Sequence, residues 1–130
     1  MINRVEPQGL YGLPELVSQV TVASGSLAFL SGQVAWDDQG DVVGEGDHKT
    51  QVEHIAKRID HILEALGAQR SDIVKETIYV ADYDPDLVPV ILGALHGTPP
   101  PSSTLVPVEK LFAPPFLVEV ECVVAVPPRS

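Results

Sequence analysis

The side chains able to do chemistry in this sequence are few, and they fall in four places. His54, Arg58 and His61 recur at spacings of four and three, so a helix would carry all three on one side. Two imidazoles so placed suit a zinc-type centre if Glu53 or Asp60 supplies a further ligand. The same spacing fits a solvated helix face, and that is the reading adopted, with no metal site expected. Cys122, the only cysteine, lies in an apolar row with no basic neighbour in sequence to lower its thiol pKa, so it reads as a small buried hydrophobe. Glu119 and Glu121 in "VEVEC" share one face of a strand. Such carboxylates either meet solvent and lysines, or one of them lines a pocket and handles a proton or a water. Finally, "GTPPPSSTLVPVEK" runs three prolines into Ser102, Ser103 and Thr104, with no charged side chain before Glu109. Consecutive prolines stiffen the chain, making this an inert linker or the rigid lip of a site.

The remaining polar signals are weaker. His48 sits in an acidic loop, and His96 near a helix C-terminus fits favourable dipole placement. "GEG" at 44–46 is too short and too acidic to cradle a phosphate.

These residues need elements to hold them. "LVSQVTVASGSLAFLSGQVAW" predicts a hairpin, with strands near 17–22 and 27–35 around Ser24 and Gly25. "DDQGDVVGEGDHKT" reads as a loop. In "QVEHIAKRIDHILEALG" the residues Ile55, Ile59, Ile62, Leu63 and Leu66 form one apolar helical stripe, with Gly67 placed for a left-handed cap. "DIVKETIYVAD" predicts a strand in which Val74, Ile78 and Val80 oppose Ile73, Thr77 and Tyr79. "DPDLVPVILGALHG" predicts a shorter helix with Asp86 as N-cap, Pro89 in the first turn and Gly97 at the end. Strands near 103–109 and 117–126 complete a ββαβαββ order, and the last carries Val118, Val120, Cys122, Val124 and Val126 as an apolar row. Two helices can cover one face of such a sheet. The mixed opposite face predicts that another subunit covers it.

Composition bounds the functional classes. The chain has 130 residues, 45% apolar and 20% charged, and is expected to form one domain over 1–130. No apolar run reaches the roughly 18 residues that span a bilayer, and "MINRVEPQG" does not read as a signal peptide, so a soluble, cytoplasmic protein is expected. Eighteen acidic against eight basic residues give a net charge of −10. Of the basic residues only Lys57 and Arg58 are adjacent. Neither nucleic acid nor an anionic membrane is an expected partner.

Several stretches then converge: "LAFLSGQVA", the helix ending "EALGA", "DIVKETIYVAD", "STLVPVEKL" and "LVEVECVVAV". In this order and spacing, from about residue 14 to 127, they resemble the Rid/YjgF family, the reactive intermediate deaminases. The resemblance implies a chorismate-mutase-like α+β fold and a homotrimer with three small-molecule clefts between subunits, free of metal and cofactor. Its best-studied branch hydrolyses enamines and imines to ketones and ammonia. There an arginine grips the substrate carboxylate, and a water placed by a glutamate and backbone groups attacks the imine carbon.

The carry-over is partial. Ser31 and Gly32 match the cleft motif, and Glu119 aligns with the family's glutamate as the expected catalytic group. Ser103 stands where the deaminase branch keeps its arginine, with Thr104 beside it, and Leu105 replaces a cysteine. Val17 replaces the cleft tyrosine, and Val90 or a neighbour replaces an asparagine. A desolvated, bidentate arginine–carboxylate pair is worth roughly 2–5 kcal/mol, so the change at Ser103 breaks the motif for amino-acid-derived imines. Two expectations follow. One is a divergent hydrolase acting on a neutral or less acidic imine, enamine or amide-like metabolite. The other is a non-catalytic trimer that binds a metabolite or a protein. An endoribonuclease role is a poorer third reading because of the charge.

Overall fold

The computed structural model describes residues 1–128, and Arg129 and Ser130 lie outside the described residues. In chain order the elements are β1 (Ile2–Val5), β2 (Val20–Ala23), β3 (Leu27–Gln33), α1 (His48–Ala65), β4 (Ile73–Ala81), α2 (Leu87–Leu95), β5 (Ser102–Val108) and β6 (Val118–Ala125). Among the described residues no helix is long and apolar enough to cross a membrane.

Helix α1 starts where its cap chemistry starts. The Asp47 carboxylate accepts from the Thr50 backbone N–H at 3.2 Å and from its hydroxyl at 2.8 Å, which replaces a missing partner of the first turn. The helix therefore begins three residues before the Gln51 that its apolar stripe suggested. Val52, Ile55, Ile59 and Leu63 are buried along it, each side chain contributing roughly 1.5–3 kcal/mol by leaving water. At the far end Gly67 adopts φ +66°. Its N–H reaches Glu64 O at 3.1 Å and that of Ala68 reaches Leu63 O at 2.9 Å, the paired bonds of a Schellman cap.

Helix α2 keeps Pro89 in its first turn, but Asp86 makes no capping bond; the Asp84 carboxylate instead accepts the Asp86 N–H at 2.8 Å. The helix ends at Leu95. Gly97, expected to end it, serves a close approach, since a Cβ there would lie 2.8 Å from Arg70 Cβ.

The main sheet has the order β3-β6-β4-β5, with β4 and β5 parallel and the other pairs antiparallel. Both helices cover one face. Ile55, Ile59 and Leu63 of α1 and Ile91, Leu92 and Leu95 of α2 pack with Ile78, Val80, Val118, Val120, Cys122 and Val124. This is an α+β fold, as the sequence predicts.

The expected hairpin does not form. β2 pairs with β1, an unpredicted strand, from Ile2↔Ala23 to Val5↔Val20. β3 is captured instead by β6, beginning where Val126 donates to Ser26 O at 2.9 Å. The turn at Gly25 (φ +93°) passes the chain from one sheet to the other rather than folding it back. A second correction concerns β4. Its register against β6 slips between Ile73 and Lys75, so Ile73 joins the core while Lys75, Thr77 and Tyr79 face the other way.

The uncovered face carries apolar side chains. Phe29 is 75% exposed and Leu27 45% exposed on β3.

Candidate functional site

Alternation along β6 sends Val118, Val120 and Cys122 into the core and turns Glu119 and Glu121 to the open face. Glu119 pairs in register with Tyr79 of β4. The Tyr79 hydroxyl donates to Glu121 Oε1 at 2.7 Å, and that bond raises the phenol's pKa. On the other side, the β3–β6 register breaks between Leu30 and Gln33. Gly32 lies in this break, so close to Glu119 that a Cβ at Gly32 would overlap the Oε2 atom. Only glycine leaves that space. Partial burial, and secondarily the charge of Glu121, hold the Glu119 carboxyl above its ordinary 4.5. Two carboxylates and a phenol thus share a shallow polar surface beside an exposed Ser31–Gly32 backbone, a set able to hold a water and pass a proton.

A second cluster sits on the helix side, at the β5 edge. Glu76 of β4 is 2% exposed within the apolar row that contains Ile78 and Val80. Its Oε2 accepts the Ser103 hydroxyl at 2.7 Å and contacts Nε2 of His96. The other ring nitrogen, Nδ1, lies 2.6 Å from the Leu16 carbonyl. A carbonyl only accepts, so Nδ1 carries a proton, and Nε2 and Glu76 share a further one between them. In a serine–histidine–acid relay the imidazole stands between hydroxyl and acid. Here the carboxylate stands in the middle, which makes Ser103 a donor and not an activated nucleophile.

The proline segment is held from outside. Pro100 O accepts from Ser18 Oγ at 2.7 Å and from Arg4 Nε at 3.1 Å, Arg4 also reaches Ser71 O at 2.7 Å, and Pro101 O accepts the Ser18 N–H at 2.9 Å. This is an anchored edge rather than a free linker.

The family described as Endoribonuclease L-PSP matches residues 13–126. The chain belongs to the Rid/YjgF family. A RutC family protein of Pyrococcus horikoshii is 28% identical over 104 residues, 78% of this chain and 81% of that protein. A Rid-family protein of unknown function from Yersinia pestis, YyfB, superposes with a TM-score of 0.89 at 25% identity, covering 95% of this chain and 98% of its own. RidA from an Antarctic Psychrobacter gives a TM-score of 0.67 at 25% identity over 95% and 94% of the two chains.

In this Rid/YjgF chain the residues singled out from sequence fall into two groups. Ser31, Gly32 and Glu119 come together on β3 and β6. Val17, Ser103 and Leu105 lie around β5: Val17 and Leu105 pack half-buried against the core, and Ser103 faces Glu76. Thr104 points the other way and accepts Lys75 Nζ at 2.8 Å. Val90 is exposed on α2. β6 and β4 separate Gly32 from Ser103. Three inter-strand steps of about 4.8 Å hold them roughly 14 Å or more apart. One chain does not bring the two groups together.

The helical histidines do not gather into a metal-ligand cluster among the described residues. His54 donates to Trp36 O at 2.9 Å, and Asp60 is taken by Arg70 at 2.8 Å. Sequence reasoning missed Tyr79 and Glu76. The signal for Glu76 was present, because the apolar row 74, 76, 78, 80 contains a carboxylate, and a carboxylate in a buried row requires partners. Nothing in the sequence alone singled out Tyr79.

Proposed function

We propose that this protein acts as a homotrimer whose clefts between subunits bind a small neutral or cationic imine, enamine or amide-like metabolite and hydrolyse it without metal or cofactor. The observation that carries this reading is the Glu119 carboxylate resting on Gly32 with its proton affinity raised. In an imine hydrolysis Glu119 takes a proton from the attacking water as its oxygen bonds the imine carbon. That proton passes to nitrogen and gives the carbinolamine. The carbinolamine hydroxyl then yields its own proton, again through Glu119, to nitrogen as the C=O bond forms, the C–N bond breaks and ammonia leaves. The two groups at opposite sheet edges support a cleft shared by copies, the β3 edge of one facing the β5 edge of the next. Exposed Leu27 and Phe29 support burial of the open face in that assembly.

Substrate class follows from charge. Ser103 offers no cation, and its partner Glu76 is neutralised by the proton it shares with His96. Glu119 with Glu121 makes the β3–β6 group acidic, so a free carboxylate is disfavoured. A phosphate backbone fares worse against a net charge of −10, so RNA is not the substrate proposed. A second reading, a trimer that binds without turnover, is favoured by two features: Val17 supplies no phenol, and the Ser103 hydroxyl is committed to Glu76.

The test is ammonia release. Imines lacking a carboxylate, generated in place by a flavin amine oxidase, should hydrolyse at least about tenfold above background, and amino-acid-derived imines should not. Gly32→Ala displaces the Glu119 carboxyl group and crowds its Cγ, a side chain free to swing, so the fold should persist while the rate falls by up to about 100-fold, which a 1 Å misplacement can cost. Acceleration of neither class leaves the binding reading. Rapid hydrolysis of amino-acid imines overturns the substrate class.

A further inference from the structure

The outer side of α1 carries a groove of about 410 Å³, walled by Trp36 and Ile62 with His54, Lys57, Arg58 and His61 along one side. Residues 54, 57, 58, 61 and 62 follow the i, i+3, i+4, i+7, i+8 spacing of a single helical stripe. This groove lies on the helix layer, across the sheet from Glu119 and Glu121. Its volume falls within the range of small-molecule sites, roughly 300–1,000 Å³.

Arg58 gives the groove its chemistry. Its Nε donates to the Gln33 side-chain oxygen at 3.1 Å and its Nη1 to Trp36 O at 3.3 Å. Gln33 is itself buried and its amide is tied to Ser31 O at 3.1 Å. Both acceptors are neutral, and no carboxylate lies at ion-pair distance from Arg58 among the described residues. A guanidinium has five N–H groups in a rigid fork. Two orient it and the rest remain for an anion, with little ordering left to offset. Lys57, one residue away and exposed, adds a second charge. Together they are the only adjacent basic pair in a chain of net charge −10.

The other residues narrow the ligand. Trp36 and Ile62 form an apolar wall suited to a flat ring. Asp37 and Asp38 also line the groove. The Asp37 carboxylate is occupied by the backbone N–H groups of Gln39 and Asp41 at 2.9 and 3.0 Å, which hold its pKa down. The fixed Asp37 carboxylate, with Asp38 also lining the groove, leaves room beside the cations for one anionic head and repels a polyanion.

We infer that this groove is a binding site, separate from the proposed cleft, for a small aromatic anion: a ring against Trp36 and one carboxylate or phosphate on Arg58 and Lys57. Trp36 is the only tryptophan in the chain, so its fluorescence reports on the groove directly. Titration with benzoate and with phenyl phosphate, against neutral benzamide, tests the site and distinguishes the two anionic heads. A saturable change should appear with at least one anion, at least about tenfold tighter than with benzamide, a factor of 10 being what one retained charge-assisted contact supplies. Arg58→Gln should weaken it about tenfold or more. Should that variant unfold, Lys57→Gln, at an exposed position, should still weaken it at least about threefold, and Glu119→Gln should leave it unchanged. No saturable response to either anion, an equal response to benzamide, or undiminished affinity in Lys57→Gln overturns the inference.

Discussion

Glu76 and Glu119 stand on adjacent strands of one sheet and have opposite surroundings. Glu76 faces the helices, is sealed from water, and finds its partners within the chain in Ser103 and His96. Glu119 faces away from the helices and is half-buried. It has no hydrogen-bond donor to its carboxylate among the described contacts, and has a like charge beside it in Glu121. The first arrangement satisfies a buried charge and fixes the β5 edge. The second leaves a carboxylate with raised proton affinity unsatisfied and reachable. Burial alone does not single out a candidate acid; a carboxylate with raised proton affinity and no donor among the described residues does so better.

The largest expected effect lies at Glu76. Glu76→Ala strands His96 and Ser103 without their acceptor, and breaking a buried pair costs roughly 3–5 kcal/mol. Glu119→Ala should change stability by under about 1 kcal/mol, as surface substitutions do. Chemical denaturation of the two variants compares them, and equal losses would break the contrast. Ser103→Ala removes one hydrogen bond to a charged group and should cost about 1–2 kcal/mol by the same measurement. A loss near zero would mean that Ser103 faces the cleft and not Glu76.

A finer test is the titration of Glu119. Carboxyl resonances should show it above 4.5, falling part of the way back in Glu121→Gln because burial, the larger cause, remains. The sign for stability follows from the raised value. The protonated form is favoured in the fold, so the contribution of Glu119 is complete below 4.5 and is lost as pH rises through the folded pKa. Asp60 runs the other way. The Arg70 hydrogen bond lowers its pKa, so its contribution is present above 3.8 and lost as pH falls through the folded value. The smallest effect concerns Cys122, whose thiol is pushed up to about 12 by burial, then by Glu76 and Glu121. Aromatic disulfide reagents should not label it until the chain unfolds.

The sequence carried the helices and the core row of β6 well, because a 3.6-residue apolar stripe and a period-2 valine run are local signals. What it could not show was partner choice. Ser24–Gly25 between two β-branched runs looks like a hairpin turn, and nothing local reveals that β1 and β6 take the two strands apart. The site divides in the same manner. Gly32 and Glu119 were legible as matches to a family motif, and their close approach explains why glycine stands there. Ser103 was read as the lip of a cleft, while its hydroxyl turns inward to Glu76. That direction depends on the parallel register Glu76↔Ser103, a long-range pairing no short stretch encodes.

The proposed cleft needs more than one chain, since Gly32 and Ser103 lie at opposite edges of the sheet. Multi-angle light scattering at micromolar concentration measures this directly. The expected mass is that of three 13.9 kDa chains. A stable monomer would contradict it, because no surface of a single chain brings Ser31, Gly32 and Glu119 to Ser103 and Leu105.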